Sequence, residues 1–168
     1  MSFMKRVFKK MQKEPEIEER TVFNMKVGDI VTYDLMDYQV VGKLSYNDHG
    51  FQWHAYQLEG TDESIWLSVE MDDELELGIY RTANLNLTEP IPDKIEYNER
   101  TYHLDEKGIA NVRGEGRGKN VSGMNVRYFD LADNQDENFL SIEIWGSEIE
   151  VSEGFEIDSF EIKILAGS

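Results

Sequence analysis

From Val22 onward, apolar residues do not recur at helical spacing. They come in short runs rich in Val, Ile, Tyr, Phe and Trp, separated by Asn, Asp and Gly clusters. Such alternation between turn-forming residues is the pattern of antiparallel strands. It predicts strands over 30–33, 38–44, 51–58, 65–70 and 75–81. After Pro90 and Pro92 a second set covers 94–97, 101–104, 108–113, 124–131, 139–144, 148–151 and 155–165. Asn47-Asp48-His49-Gly50, Glu59-Gly60-Thr61-Asp62 and Asp133-Asn134-Gln135-Asp136 read as turns, which makes most connections hairpins. Helical spacing survives only at the start. In residues 1–13, Phe3, Met4, Val7, Phe8 and Met11 fall on one side of a helix and Lys5, Arg6, Lys9, Lys10 and Lys13 on the other. Pro15 and Glu14, Glu16, Glu18 and Glu19 end that pattern.

The two sets of strands read as one unit written twice. Tyr33-x4-Tyr38 recurs as Tyr97-x4-Tyr102 at an offset of 64. Leu58 with Trp66-Leu-Ser-Val-Glu70 recurs as Leu131 with Phe139-Leu-Ser-Ile-Glu143 at an offset of 73, and the extra nine residues fall in the glycine-rich stretch 113–123. The expected fold is all-β: two related small antiparallel units from an internal duplication, each a bent sheet or partly open barrel, joined along an edge or face. The expected boundaries are a basic amphipathic helix at 1–13, an acidic linker at 14–21, a first β-unit at 22–88 and a second at 89–168.

Charge refines this picture. The 168 residues hold 34 Asp and Glu against 17 Lys and Arg, a net charge of −17, with no Cys. The absence of Cys excludes disulfides and thiolate chemistry and favours a cytoplasmic setting. The acidity argues against nucleic-acid binding by the body of the protein, because neutralising phosphates requires clustered Lys and Arg. Residues 1–13 nevertheless hold five basic residues and no acid, which leaves the remainder at −22. A cationic amphipathic segment of this kind suits an anionic membrane surface or an acidic partner. The same pattern also fits a frayed end, or a helix packed on this chain or on a second copy. It is not a secretory signal, and no stretch is long and apolar enough to span a bilayer.

Candidate chemistry is sparse. On the strand around Trp66, Leu67 and Val69 share one face while Trp66, Ser68 and Glu70 share the other, and Phe139, Ser141 and Glu143 repeat that row. If the Leu/Val side is core, the opposite face could hold a small ligand, a peptide or a protein. Alternatively, Trp66 and Phe139 fill a seam between the halves while each Glu pairs with a base or with water. Arg113, Arg117 and Lys119 make the glycine-rich stretch locally basic, as a candidate anion contact or simply a mobile hairpin loop. The alternating Glu74, Glu76, Glu148 and Glu150 suit outer strand faces. His49, His54 and His103 lack metal-ligand spacing, and Asp72-Asp73-Glu74 lacks the pattern of a calcium loop. No nucleophile stands beside a base, so neither metal nor cofactor is expected and the protein reads as non-enzymatic.

Val27-Gly28-Asp29-Ile30-Val31-x-Tyr33, Tyr38-Gln-Val40-Val41-Gly42-x-Leu44, Trp53-x-x-Tyr56-x-Leu58 and Trp66-Leu67-x-Val69-Glu70, taken in order, resemble an uncharacterised bacterial domain-of-unknown-function family. Members of that family are often encoded beside phage-shock-protein-A-like proteins and small integral membrane proteins. The resemblance implies a cytoplasmic component of a membrane-stress or membrane-remodelling system, peripheral on the inner face of the cell membrane. Its expected partners are a phage-shock-protein-A-like or integral membrane protein and an anionic membrane. The expected function is therefore a non-enzymatic adaptor that docks through its N-terminal segment and binds protein through its β-body, with a small-molecule or peptide sensor using the Trp66/Ser68/Glu70 face as one alternative and an enzyme of unknown reaction as another.

Overall fold

The computed structural model describes residues 19–167, so the expected helix at 1–13 and most of the linker at 14–21 lie outside the described residues. The rest is β-structure with two short 3-10 turns. The first five strands are β1 (Ile30–Tyr33), β2 (Met36–Asp48), β3 (Phe51–Glu59), β4 (Ser64–Met71) and β5 (Leu75–Thr82). The next five are β6 (Lys94–Tyr97), β7 (Arg100–Gly116), β8 (Asn125–Asp133), β9 (Asn138–Trp145) and β10 (Glu148–Ile157), and β11 (Ile162–Leu165) follows.

Two expectations about strand limits are corrected. The segments expected at 101–104 and 108–113 are one 17-residue strand, β7, because Asp105-Glu106-Lys107, polar enough to read as a turn, forms a β-bulge instead. The strand expected at 155–165 is broken by a 3-10 turn at Ser159–Glu161, where Asp158 and Glu161 form a reciprocal capping box.

Each strand pairs antiparallel with its neighbours in the order β11-β1-β2-β3-β4-β5-β10-β9-β8-β7-β6, and β2 also pairs with β7. That last ladder closes eight strands into a barrel. It is possible because β2 and β7 are long enough to serve two neighbours along one edge. β2 borders β1 through Met36–Gln39 and β7 through Gly42–Asn47. β7 borders β6 through Arg100–His103 and β2 through Asn111–Gly116.

The strands before and after residue 90 share local geometry. The β1–β2 turn at Asp34 and Leu35 and the β6–β7 turn at Asn98 and Glu99 each put two successive residues at positive φ, the form whose twist suits a two-residue hairpin. Bulges interrupt β2 at Val41 and β7 at Asp105, 64 residues apart. In the closing ladder Asn47 faces Asn111, again at that offset.

Two apolar clusters lie mainly within one set of strands each, and a third, Leu44 and Tyr46 with Ala110, Val112, Val126 and Tyr128, joins the two sets. Tyr56, Leu58, Ile65, Leu67, Val69 and Ile79 are fully buried in the first, under β1, β11 and the segment carrying Val22 and Met25. Tyr102, Leu131, Leu140, Ile142 and Ile144 fill the second. The buried Asp29 carboxylate ties the segments around Arg20 and Gly167 to the first core. It accepts bonds from the N–H groups of Lys26 and Gly167 at 2.8 Å and from Arg20 Nε at 2.9 Å. Burial works to raise its pKa, but these donors outweigh that and hold it below the ordinary value. Among the described residues no helix is long and apolar enough to cross a membrane.

The glycine-rich stretch helps to close the ring. β7 runs through Gly114 to Gly116 beside β2, and a 3-10 turn at Arg117–Val121 then folds back with Gly118 buried against Leu44. A Cβ on Gly114 would lie 1.8 Å from the carbonyl oxygen of Gly118, so this approach excludes any side chain. Gly114→Ala should therefore lower stability by about 1–3 kcal/mol in urea unfolding; an unchanged midpoint would mean that the tight approach is dispensable.

Candidate functional site

Closing the ring turns one face of each barrel strand inward. Leu67, Val69, Leu140 and Ile142 go to the two cores. Their neighbours Trp66, Ser68, Glu70, Phe139, Ser141 and Glu143 all line one central cavity of about 580 Å³. The two rows singled out in the sequence therefore face a common lumen. Its volume is that of an ordinary small-molecule site.

The walls are aromatic. Tyr46 stacks on Trp53 with ring centroids 5.1 Å apart, and Tyr128 meets Trp53 edge-on at 5.2 Å. Tyr80 crosses the lumen wall over Gly78 and Gly154, where an added Cβ would come within 2.8 and 2.5 Å of its ring.

The charge is one-sided. Eight carboxylates line the cavity, and no Lys, Arg or His does. Six of the eight form directly opposed pairs on neighbouring strands: Glu70 with Glu76, Glu143 with Glu150, and Glu106 with Asp130. Like charges in facing positions of a sheet destabilise it. Each of these pairs joins a partly buried acid, Glu70, Glu143 or Asp130, to an exposed one, Glu76, Glu150 or Glu106, so water screens part of the repulsion. Glu76 and Glu150, read in the sequence as outer-face residues, are exposed and also line the cavity. The lining corrects the expectation that Glu70 or Glu143 meets a basic residue, since Glu143 takes a hydrogen bond from the Tyr46 hydroxyl.

Protonation responds accordingly. Burial first, and then Glu76 and Glu106, raise Glu70 to about 7. Burial also lifts Glu143 to about 7, with Glu150 adding to it and Tyr46 opposing. Asp130 rises to about 8 through burial and the charges of Glu70, Glu106 and Glu143. Its side chain lines the lumen and is intermediate in exposure. Burial with Glu156, and burial with Glu148, likewise raise Glu76 and Glu150. Among the described residues no group of three or more His, Cys, Asp or Glu converges as a metal site.

Residues 26–159 match the family described as a domain of unknown function, DUF4178. The chain belongs to it. The uncharacterised domain family expected from the sequence is thus the one found, and the DUF4178 region contains every carboxylate of the lumen. An uncharacterized protein of Mycobacterium bovis and one from each of two Mycobacterium tuberculosis strains are 32% identical to this DUF4178 chain over 149 residues, covering 83% of it and 68% of their own length. No solved structure matches.

The remaining candidates lie elsewhere. Arg113 and Lys119 are exposed on the outside of the DUF4178 barrel, and Arg117 pairs with Glu59 at 2.6 Å. His49 bonds Asp48, and His54 bonds Ser45. The segment Phe3–Met11 lies outside the described residues. Sequence reasoning missed Glu76, Glu106, Asp130 and Glu150. The available signal was parity: Asp130 alternates with Tyr128, and Glu76 with Gly78 and Tyr80, on strands whose other face is apolar.

The raised carboxyls set the pH dependence. Unfolded, these groups ionise near 3.8 to 4.5, whereas the barrel retains their protons to about 7 or 8. The folded state binds more protons across that window, so stability falls as pH rises from about 4 to about 8 and then levels. Glu63 acts oppositely, since the Arg81 side chain holds it down to about 2 and its contribution is lost only in stronger acid. The melting temperature of the free protein should therefore fall between about pH 5 and pH 9, and Asp130→Asn or Glu143→Gln should flatten the slope. A flat profile for the parent, or variants as steep as the parent, would contradict this.

Proposed function

We propose that this protein is a non-enzymatic binding module that takes a small organic cation into the barrel lumen. The observation that carries the reading is the lining itself: eight carboxylates, three opposed acidic pairs and aromatic walls, with no basic side chain. Anions are repelled there. An ammonium group relieves the repulsion within a pair and gains attraction from the faces of Trp53, Trp66 and Tyr80. Carboxylates scattered along a wall suit an ammonium better than a metal ion, which needs several oxygen ligands at one point. Ser68 and Ser141, beside the acidic pairs, offer hydroxyls to orient the ligand.

The matching hairpins, bulges and glutamate pairs support an origin by duplication of one β-unit, with residues 22–88 and 89–168 as its copies. Docking on a membrane or on a membrane-stress partner through residues 1–13 is a proposal that rests on the charge and spacing of that segment alone. In this reading the docking segment would report the occupancy of the lumen to a partner.

Titration of the full chain with butylammonium at constant ionic strength tests the lumen reading. The expected result is a rise in melting temperature with a change in tryptophan fluorescence, both weakened about tenfold or more in apparent affinity by Asp130→Asn combined with Glu143→Gln. A response no larger than that to sodium chloride, or one unchanged in the double variant, would overturn it.

A further inference from the structure

We propose a second binding site, on the outer face of the closing ladder, where Arg113, Lys43 and the Ser45–His54 pair take a tetrahedral oxyanion, inorganic phosphate or a phosphate monoester. It shares no residue with the lumen and does not depend on the cation-binding reading.

The ladder sets β3, β2 and β7 side by side, and alternation gives each strand a second face. Leu44, Tyr46, Trp53 and Ala55 line the lumen, so Lys43, Ser45 and His54, which alternate with them, lie on the outer face. Val112 is buried with Leu44 and Tyr46, which puts Arg113 on the outer face of β7. Register brings these groups together. Ser45 stands opposite His54 on one side and Arg113 on the other, and Lys43, two residues along β2, stands between Tyr56 and Glu115. Partners facing each other across strands have Cβ atoms about 5 Å apart, within reach of one small ligand.

Two observations point to a ligand here. Arg20, Arg81, Arg100, Arg117 and Arg127 each pair with a carboxylate, whereas Arg113, alone among the arginines of the described residues, pairs with none. An unpaired guanidinium is unexpected in a chain with 34 acids against 17 bases. The second is a count of protons. His54 Nδ1 and Ser45 Oγ share one hydrogen bond of 3.0 Å, and neither side chain makes another among the described residues. Burial, and then Lys43, lower the His54 pKa while Glu115 opposes them, so the imidazole is neutral at pH 7. A neutral imidazole and a hydroxyl carry two protons, and their mutual bond uses one. In either tautomer one donor, the Ser45 hydroxyl or His54 Nε2–H, is left over.

The donor set selects the ligand. A guanidinium forks onto two oxygens, the Ser45–His54 pair supplies a donor for a third, and Lys43 adds a second positive charge. A planar carboxylate lacks the third oxygen, whereas a phosphoryl group has three and a charge of about −2. Glu115 opposite Lys43 leaves this face only one net positive charge, which suits one small anion and not a polyanion. Arg117 in the glycine-rich stretch is already held by Glu59.

The imidazole NMR signals of the full chain, titrated with inorganic phosphate, glycerol 3-phosphate and acetate at constant pH and ionic strength, test the site. His54 should shift saturably with both phosphates and at least about tenfold more weakly with acetate, while His49 and His103 stay in place. Phosphate should also move the pH midpoint of His54 upward. Arg113→Gln, an exposed substitution that should leave the melting temperature unchanged, should weaken phosphate about tenfold or more, and Arg117→Gln should not. A response to inorganic phosphate without one to glycerol 3-phosphate would support the site with free phosphate as its ligand. Equal shifts of all three histidines, acetate binding as tightly as phosphate, or an affinity unchanged in Arg113→Gln would overturn the proposal and leave the lumen reading standing.

Discussion

The ladder between β2 and β7 is the constraint on which the other features depend. Without it, each set of strands would be a bent sheet over its own core, and the rows Trp66-Ser68-Glu70 and Phe139-Ser141-Glu143 would face solvent. With it, and with β5 paired to β10, those rows face each other across an enclosed space. Closure also removes two sheet edges that would otherwise invite association. The glycines at 114 and 118 are a condition of closure, because the strand and the turn after it approach more closely than a Cβ permits.

Enclosure changes what the acidic residues mean. On an outer face a glutamate is solvated, and opposed glutamates cost little. In a lumen of about 580 Å³ without a basic side chain, the charged form is disfavoured by burial and by its neighbours together. Glu70, Asp130 and Glu143 therefore hold protons up to about neutral pH. Selection for stability alone would favour amides or apolar residues at these positions. Carboxylates at these positions, on a face that also carries aromatic rings, are what the proposed cation site requires.

Much of the fold was legible because alternation is a local property. β1 and β6 fall where the pattern predicts them, and β3, β4, β5, β8 and β9 agree to within two residues at either end. The inward rows were legible because Leu67, Val69, Leu140 and Ile142 mark the opposite face so clearly. Closure was not legible, since the β2–β7 and β5–β10 ladders join segments roughly 70 residues apart and leave no local trace. The acids were misread for the same reason. Asp105-Glu106-Lys107 looks like a turn, and that the exposed Glu76 and Glu150 also line a cavity shows only once the strands carrying them are known to curl around it.

In the proposed cation site the lumen carboxyls share protons at neutral pH and surrender them to an organic cation. Carboxyl-carbon NMR of the side chains of Asp130, Glu70 and Glu143, followed through a pH titration with and without a saturating alkylammonium ion, tests it most directly. The expected midpoints in the free protein are near neutrality, about 7 for the two glutamates and about 8 for Asp130, and they move down when the cation is present. Midpoints at ordinary carboxylate values that do not respond to the cation would contradict it.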